Sequence, residues 1–375
     1  MSRGFPQTVL MTADTVGGVW RYAIDLAAGL APHGVRVVLA TMGRALSDDQ
    51  WTEAKAVPGL IVEESTFKLE WMPDSAEDVV SAGYWLMALE RRYRPDLVHL
   101  NGYAHGALMW SAPVLMVAHS CVASWWRAVK GEDPPASDWH GYLTGVRRGL
   151  AAADMVVAPT AAYLAEVEAI YGRLSGTRVI LNGRDRAGLG PAIRKRPLVL
   201  AAGRVWDEAK NLRLLGTVAP VLGYPIHVAG ESRGPDGSDV ALEGVEVLGR
   251  LDAAQMAEAM GRAAVFTSPA LYEPFGLAVL EAALSGCALV LSDIPTFREL
   301  WEGCALFADP RDPAAWSTTL DRVLRDDHLR IRLAEAARVR AARLTAEAMA
   351  AVTLDAYAEL RTGDPARPPI WEEAS

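Results

Sequence analysis

The stretch "VFTSPALYEPFGLAVLEAALSGCALVLS", Val265 to Ser292, settles the fold class. "VFTSP" and "ALVLS" read as short strands that are apolar throughout, and "LAVLEAALSG" between them reads as a helix. Strands without a polar face, joined through helices, imply a parallel sheet covered on both sides. The same stretch holds two carboxylates, Glu273 and Glu281, in an otherwise apolar run, and such burial is costly unless something pairs with it. Pro274 suits a first helical turn, because its missing N–H is no loss there. The amides of Phe275, Gly276 and Leu277 then face outward at a helix start, which attracts an anion or a hydroxylated ligand. Eight helical residues span about 12 Å and return to nearly the same face. The two glutamates are therefore expected at the two ends of one elongated ligand, and a nucleotide sugar has that reach.

The alternation extends outward in both directions. Ahead of Val265 come the strands "LVLAAG", "PIHVAGE" and "VEVLG", with the helices "KNLRLLGTVAPVL" and "DAAQMAEAMGRA". The first half repeats the plan with the strands "TVLMTA", "VRVVLATM", "DLVHLNG", "PVLMVAHS" and "DMVVAPT". Between the halves, "NGRDRAGLGPAIRKRP", Asn182 to Pro197, is rich in Gly, Pro and Arg and reads as a linker. The expected divisions are 1–184, 185–350 and a tail at 351–375. One long helical tail is expected from about Ala314 to Leu360.

Composition narrows the function. Among 375 residues, 37 are Lys or Arg and 46 are Asp or Glu, a net charge of -9 that argues against a generic nucleic-acid binder. The short basic clusters, Arg194-Lys195-Arg196 among them, read as solvated surface; contact with anionic lipid headgroups stays open. Only three cysteines occur, with no paired spacing, which excludes a zinc ribbon and suits a reducing cytoplasm. The uncharged stretch from Ala107 to Trp126 has the length of a membrane span. Pro113, three serines and His119 interrupt it, so it reads as protein interior.

Further motifs fall at strand ends, where ligands bind in such folds. In "AAGRVWDEAKNLRLL", Arg204 follows a strand and Lys210 opens the next helix, two cations that suit a diphosphate. Their plainer reading is a surface pair with Asp207 or Glu208, and Glu281 alone would read as a core residue paired with a lysine. No Asp-x-Asp pair occurs, so the usual carboxylate device for a divalent ion is missing and no metal is expected. Gly17-Gly18 between the first strand and helix permits close approach to a phosphate or sugar, but it is not G-x-G-x-x-G. His119 follows a buried strand; a satisfied core histidine is its plain alternative. Trp20, Trp125 and Trp126, with Asn101, Tyr103 and His105, leave cleft-facing positions and are the candidates for acceptor binding.

Together "TVGGVWRY", "VAHS", "GRVWDEAKNLRLL", "VAGE" and the E-x7-E pair in "EPFGLAVLE" resemble the family 4 retaining glycosyltransferases over about residues 8 to 350. The resemblance implies a GT-B architecture, two facing Rossmann-like domains with the last helix crossing back to the first. It implies that Glu273 contacts the transferred sugar, Glu281 holds the ribose, and Arg204 and Lys210 grip the diphosphate. The amides of Phe275 to Leu277 would bind sugar and phosphate, His119 would lie beside the sugar, and Gly17-Gly18 would close over the phosphates. "LNGRDRAG" and "VAGESRGPDGS" depart from the commoner family pattern, which bears on donor identity. The expected function is metal-independent hexose transfer from a UDP- or GDP-sugar to an acceptor hydroxyl, with no nucleic-acid partner. An epimerase or phosphorylase on the same fold, or a non-catalytic binding subunit, are the alternatives.

Overall fold

The structure is a computed structural model that describes residues 5–185, 188–191, 194–234, 237 and 239–362. The chain forms two compact units. The first comprises 1–124, 133–183 and 346–375; the second comprises 125–132 and 184–345. Parts of the two family-atypical loops (186, 187, 235, 236 and 238) and of the expected tail (363–375) lie outside the described residues.

In the first unit seven described strands form one parallel sheet: β1 (Thr8–Asp14), β2 (Arg36–Met42), β3 (Ile61–Glu64), β4 (Leu97–Leu100), β5 (Val114–Val117), β6 (Met155–Ala158) and β7 (Thr177–Val179). Their order is β3-β2-β1-β4-β5-β6-β7. Val9 of β1 lies between Val37 of β2 and Leu97 of β4. The chain therefore reverses its direction of growth at the β1/β4 junction, the place where open parallel sheets leave a crevice beyond the strand ends. Val9 and Met11 belong to a core shared with Leu26 and Leu30 of the helix Gly18–Leu30 and with Leu354 and Tyr357 of the helix Ala346–Thr362. The C-terminal helix is thus part of the first unit, as its buried Met349, Ala350 and Tyr357 require.

The second unit has six described parallel strands: β8 (Arg196–Ala202), β9 (Ile226–Ala229), β10 (Glu246–Gly249), β11 (Ala263–Ser268), β12 (Ala288–Ser292) and β13 (Ala305–Ala308). The order β10-β9-β8-β11-β12-β13 repeats the first sheet's plan and puts the reversal between β8 and β11. Val199, Val265 and Val290 pack under the buried Trp316 and Leu320 of the helix Pro313–Arg325.

Several expectations need correction. The single long C-terminal helix is three, Pro313–Arg325, Asp327–Ala341 and Ala346–Thr362. Asp326, with an extended backbone, ends the first and caps the second by accepting from Leu329 N–H; a capping carboxylate competes with helix continuation. The second break contains Leu344 and Thr345, where Leu344 C=O accepts from Arg184 N–H and Thr345 bridges to Arg184. The basic cluster at 194–196 is not uniformly solvated. Lys195 is half-buried, and its Nζ donates to Met260 C=O at 3.0 Å and to Ser285 C=O at 2.6 Å, carbonyls near the ends of two helices. Burial draws its pKa below the ordinary lysine value. Within the uncharged stretch 107–126 the core strand β5 is fully buried, and no described helix is long and apolar enough to cross a membrane.

Candidate active site

In the second unit the sheet reversal sets the loops after β8 and β11 side by side. Gly203 follows β8 and Gly230 follows β9; a Cβ on Gly230 would lie 1.8 Å from Gly203 C=O. Only glycine permits that approach, and it fixes the turn from which Arg204 projects. Asn211, with φ of 52°, donates from Nδ2 to the carbonyls of Pro269 (2.9 Å) and Pro310 (2.8 Å). Leu271 N–H donates to Ala209 C=O at 2.8 Å. Two of these bonds staple the Lys210 turn to the loop that carries Glu273 and the third ties it to the loop after β13, and Lys210 Nζ meets Glu273 Oε2 at 2.6 Å. Thr296 Oγ1 donates to Glu273 C=O at 2.7 Å, which holds the loop from its other side.

Arg204 reaches Asp207 Oδ2 at 2.6 Å, so the plainer sequence reading of a pair with Asp207 is realised, whereas Glu208 pairs with Lys130. Burial alone would raise the Asp207 pKa. The charges of Arg204 and Lys210, with the bonds from Arg204 and Ala209 N–H, hold it below the ordinary aspartate value. Arg204, Asp207, Lys210 and Glu273 therefore form one continuous line of alternating charge. Asp207 was seen in the sequence only as a bland counter-ion; its capping of the Glu208–Lys210 turn is what places it between the two cations.

The helix of the E-x7-E segment begins at Leu277, not at Pro274. Gly276 is its N-cap with φ of 87°, a left-handed conformation in which a Cβ would also press on the Phe297 ring at 3.0 Å. Its carbonyl accepts from Val279 and Leu280 N–H, so the amides of Phe275, Gly276 and Leu277 precede the first intrahelical bonds. Glu273 consequently sits in the loop and Glu281 in the helix, and the expectation of two carboxylates on one helical face fails. Glu281 Oε1 instead accepts from Arg184 Nε at 2.6 Å. The plainer sequence reading of Glu281 named a lysine as its partner; the partner is this arginine, which lies 97 residues away in the atypical "LNGRDRAG" segment.

In the first unit, Asn101 leaves β4 and His119 leaves β5. His119 Nε2 lies 2.8 Å from Asn101 Oδ1, and Asn101 Nδ2 donates to Thr12 C=O at 2.8 Å. The Tyr22 ring stands edge-on to the His119 ring, with 4.6 Å between centroids. Behind them His99, fully buried, meets Tyr357 Oη at 2.6 Å from Nδ1 and Tyr22 Oη at 3.4 Å from Nε2. Burial drives both histidines down to about 3, for His99 with help from the neighbouring His119. Gly17 caps the helix at Gly18 with a φ of -135° that any residue adopts, so no backbone constraint demands glycine there.

The acceptor candidates scatter. Trp20 is a core residue whose Nε1 donates to Glu53 Oε2 at 2.7 Å. Tyr103 is buried, and His105 is buried with Nε2 at 3.0 Å from Val79 C=O. Glu70, unnoticed in the sequence, holds this loop by accepting from Tyr103 N–H at 2.9 Å and Ala104 N–H at 2.6 Å. Trp125 and Trp126 belong to the second unit and pack edge-on against each other, with Trp125 Nε1 at 3.4 Å from Asp207 Oδ1. These three rings and the two buried loop side chains were chosen by sequence position alone, which does not distinguish a residue that follows a strand end from one turned back into the core.

The two parallel-sheet α/β units, together with the structural neighbours below, define a GT-B glycosyltransferase fold. The model of Glycosyltransferase Family 4 matches residues 16–187, and that of Glycosyl transferases group 1 matches residues 196–326. The chain belongs to the glycosyltransferases that these two domains together describe. It is 27% identical to a glycogen synthase of Mycobacterium tuberculosis over 96% of both chains. It is 26% identical to a D-inositol 3-phosphate glycosyltransferase of Xylanimonas cellulosilytica over 94% of both. Among solved structures, sucrose-phosphate synthase from Thermosynechococcus elongatus superposes with a TM-score of 0.79 at 21% identity, covering 96% of this chain and 100% of that one. Anabaena HepE in complex with UDP-glucose gives 0.71 at 16%, covering 92% and 99%. At those identities the structural likeness speaks for the fold.

Proposed function

We propose that this glycosyltransferase is retaining and metal-independent, and that it moves a hexose from a uridine or guanosine diphosphate sugar to a hydroxyl of a glycan, lipid or small molecule. The observation that carries the reading is the 2.6 Å contact between Lys210 Nζ and Glu273 Oε2. An ammonium has three donors and a carboxylate two accepting oxygens. After this bond Lys210 keeps two N–H donors for phosphate, and Glu273 keeps Oε1 for a sugar hydroxyl. One ion pair thus spans the junction between sugar and diphosphate, where the bond breaks.

Arg204, oriented by the ionised Asp207, adds a second fixed cation for the departing phosphate. Two such cations supply charge stabilisation that a divalent ion provides elsewhere, which supports the metal-free reading. In the transfer the bond from the anomeric carbon to phosphate oxygen breaks as the acceptor oxygen bonds to that carbon on the same face. The acceptor proton passes to the leaving phosphate oxygen, so no side chain has to act as nucleophile. Glu281 would take the ribose hydroxyls through the oxygen not bonded to Arg184, and the amides of Phe275 to Leu277 would approach phosphate and sugar. HepE's complex with UDP-glucose and the glycogen synthase likeness favour a nucleoside-diphosphate glucose among the hexose donors.

Thermal-shift titration with UDP and GDP, with magnesium and with EDTA, tests the donor site; proton NMR of the anomeric product tests stereochemistry. The expected result is a rise in Tm that survives EDTA and is abolished by Lys210→Ala, with retained anomeric configuration. A shift wholly dependent on magnesium, or an inverted product, overturns the reading.

A further inference from the structure

We propose that Asn101 is a positioning residue that locks His119 in the tautomer carrying its proton on Nε2, so that Nδ1 is a permanent hydrogen-bond acceptor for an uncharged substrate hydroxyl. The first part stands on geometry alone; the substrate part rests on the glycosyl-transfer reading above.

The argument is one of forced donors. Thr12 C=O only accepts, so the group of Asn101 that lies 2.8 Å from it must be the NH2. That fixes the amide's orientation and turns Oδ1 to His119 Nε2, 2.8 Å away. An amide oxygen only accepts, so Nε2 must carry the proton, and a neutral imidazole then has its lone pair on Nδ1. The amide cannot flip without losing both bonds. Nor can the residue shift, because Asn101 N–H also donates to Thr12 Oγ1 at 2.9 Å. Nδ1 makes no hydrogen bond to another described residue.

The surroundings keep the ring neutral. Tyr22 covers it edge-on and is itself tied through His99 to Tyr357 of the C-terminal helix. The titratable groups around it are Tyr22 and, behind it, His99, and burial itself disfavours a charge on the His119 ring. A neutral acceptor cannot bind a phosphate or carboxylate oxygen, since two lone pairs would face each other. It also cannot stabilise the departing phosphate as a cation. The group that meets His119 is therefore a hydrogen-bond donor, such as a substrate hydroxyl.

The test uses the full chain with 15N- and 13C-labelled histidine, His119 being assigned with His119→Gln. NMR shifts of the ring report the tautomer directly, a readout that loss of packing elsewhere does not imitate. Wild type should show the Nε2–H tautomer, without titrating between about pH 5 and 8. Asn101→Ala should release it to a mixture of tautomers and lower kcat about tenfold, the worth of one hydrogen bond, with the UDP or GDP thermal shift unchanged. If that variant does not fold, Asn101→Asp keeps the size and the acceptor; it should hold the Nε2–H tautomer while raising the His119 pKa. An Nδ1–H tautomer in wild type, an unaltered tautomer in Asn101→Ala, or an unaltered His119 titration in Asn101→Asp overturns the lock. If the lock is seen but no nucleotide sugar is turned over, the functional reading falls and the lock stands.

Discussion

Arg184 Nε lies 2.6 Å from Glu281 Oε1, and both side chains are less than a fifth exposed. The arginine opens the 184–345 segment of the second unit and the glutamate sits in its E-x7-E helix, so one ion pair joins the start of that segment to the helix. A half-buried pair loses more when one partner is removed than the pair contributes, because the remaining charge is left without compensation.

Arg184→Ala is therefore expected to destabilise the fold by about 1–3 kcal/mol, more than Glu281→Gln combined with Arg184→Ala does. Urea unfolding of both single variants and the double variant measures the coupling; a loss in the double variant equal to the sum of the two single losses would show that the pair carries none.

Glu273→Gln keeps a side chain of the same shape and frees Lys210. Nucleoside diphosphate affinity should stay level or rise, while kcat falls about 100-fold. Parallel calorimetric titration and initial rates separate the two effects, and a matched loss of affinity would place Glu273 on the nucleotide rather than on the sugar.

Gly230→Ala should be among the most damaging small substitutions in the second unit, because the new Cβ would meet Gly203 C=O at 1.8 Å and the backbone there cannot give without moving Arg204. A loss of about 3 kcal/mol or more is expected. Gly17→Ala, at a φ open to any residue, should cost under about 1 kcal/mol.

His99 gives the chain a pH dependence with a defined sign. Its folded pKa is depressed from 6.5 to about 3 by burial, with the neighbouring His119 charge adding to it. Below 6.5 the unfolded chain binds a proton that the folded chain refuses, so stability present above 6.5 is lost as pH falls toward 3. Between pH 7 and pH 5 the loss is about 2 kcal/mol for this residue. Urea midpoints at the two pH values should show it, and His99→Gln should flatten the slope by that amount. The Asp207 carboxylate, with its pKa held low, contributes nothing to this window.

How much was legible in the residues differs between elements. The apolar runs "TVLMTA", "LVLAAG" and "ALVLS" identified β1, β8 and β12 because a strand buried on both faces has no polar alternation to hide it. β3 and β7, at the two edges of the first sheet, carry mixed polar sequence and were not legible. The helical tail was read as one because alanine and arginine favour helix throughout; its breaks are set by an Asp326 cap and by contacts of Leu344 and Thr345 with a segment far away in sequence.

Residue types and spacing were enough to define the parallel α/β class, the two-unit plan, the charged strand-end loops at Arg204, Lys210 and Glu273, and the helical Glu281. Those properties follow from local hydrophobic period and from which side chains carry charge. The partners were settled only in three dimensions: Lys210 with Glu273, Arg204 with Asp207, Arg184 with Glu281, and His119 with Asn101. So was the inward turn of Trp20, Tyr103 and His105. Pairing depends on which loops a sheet reversal brings together, and a side chain's exposure depends on what packs over it, and both are set by contacts between distant parts of the chain.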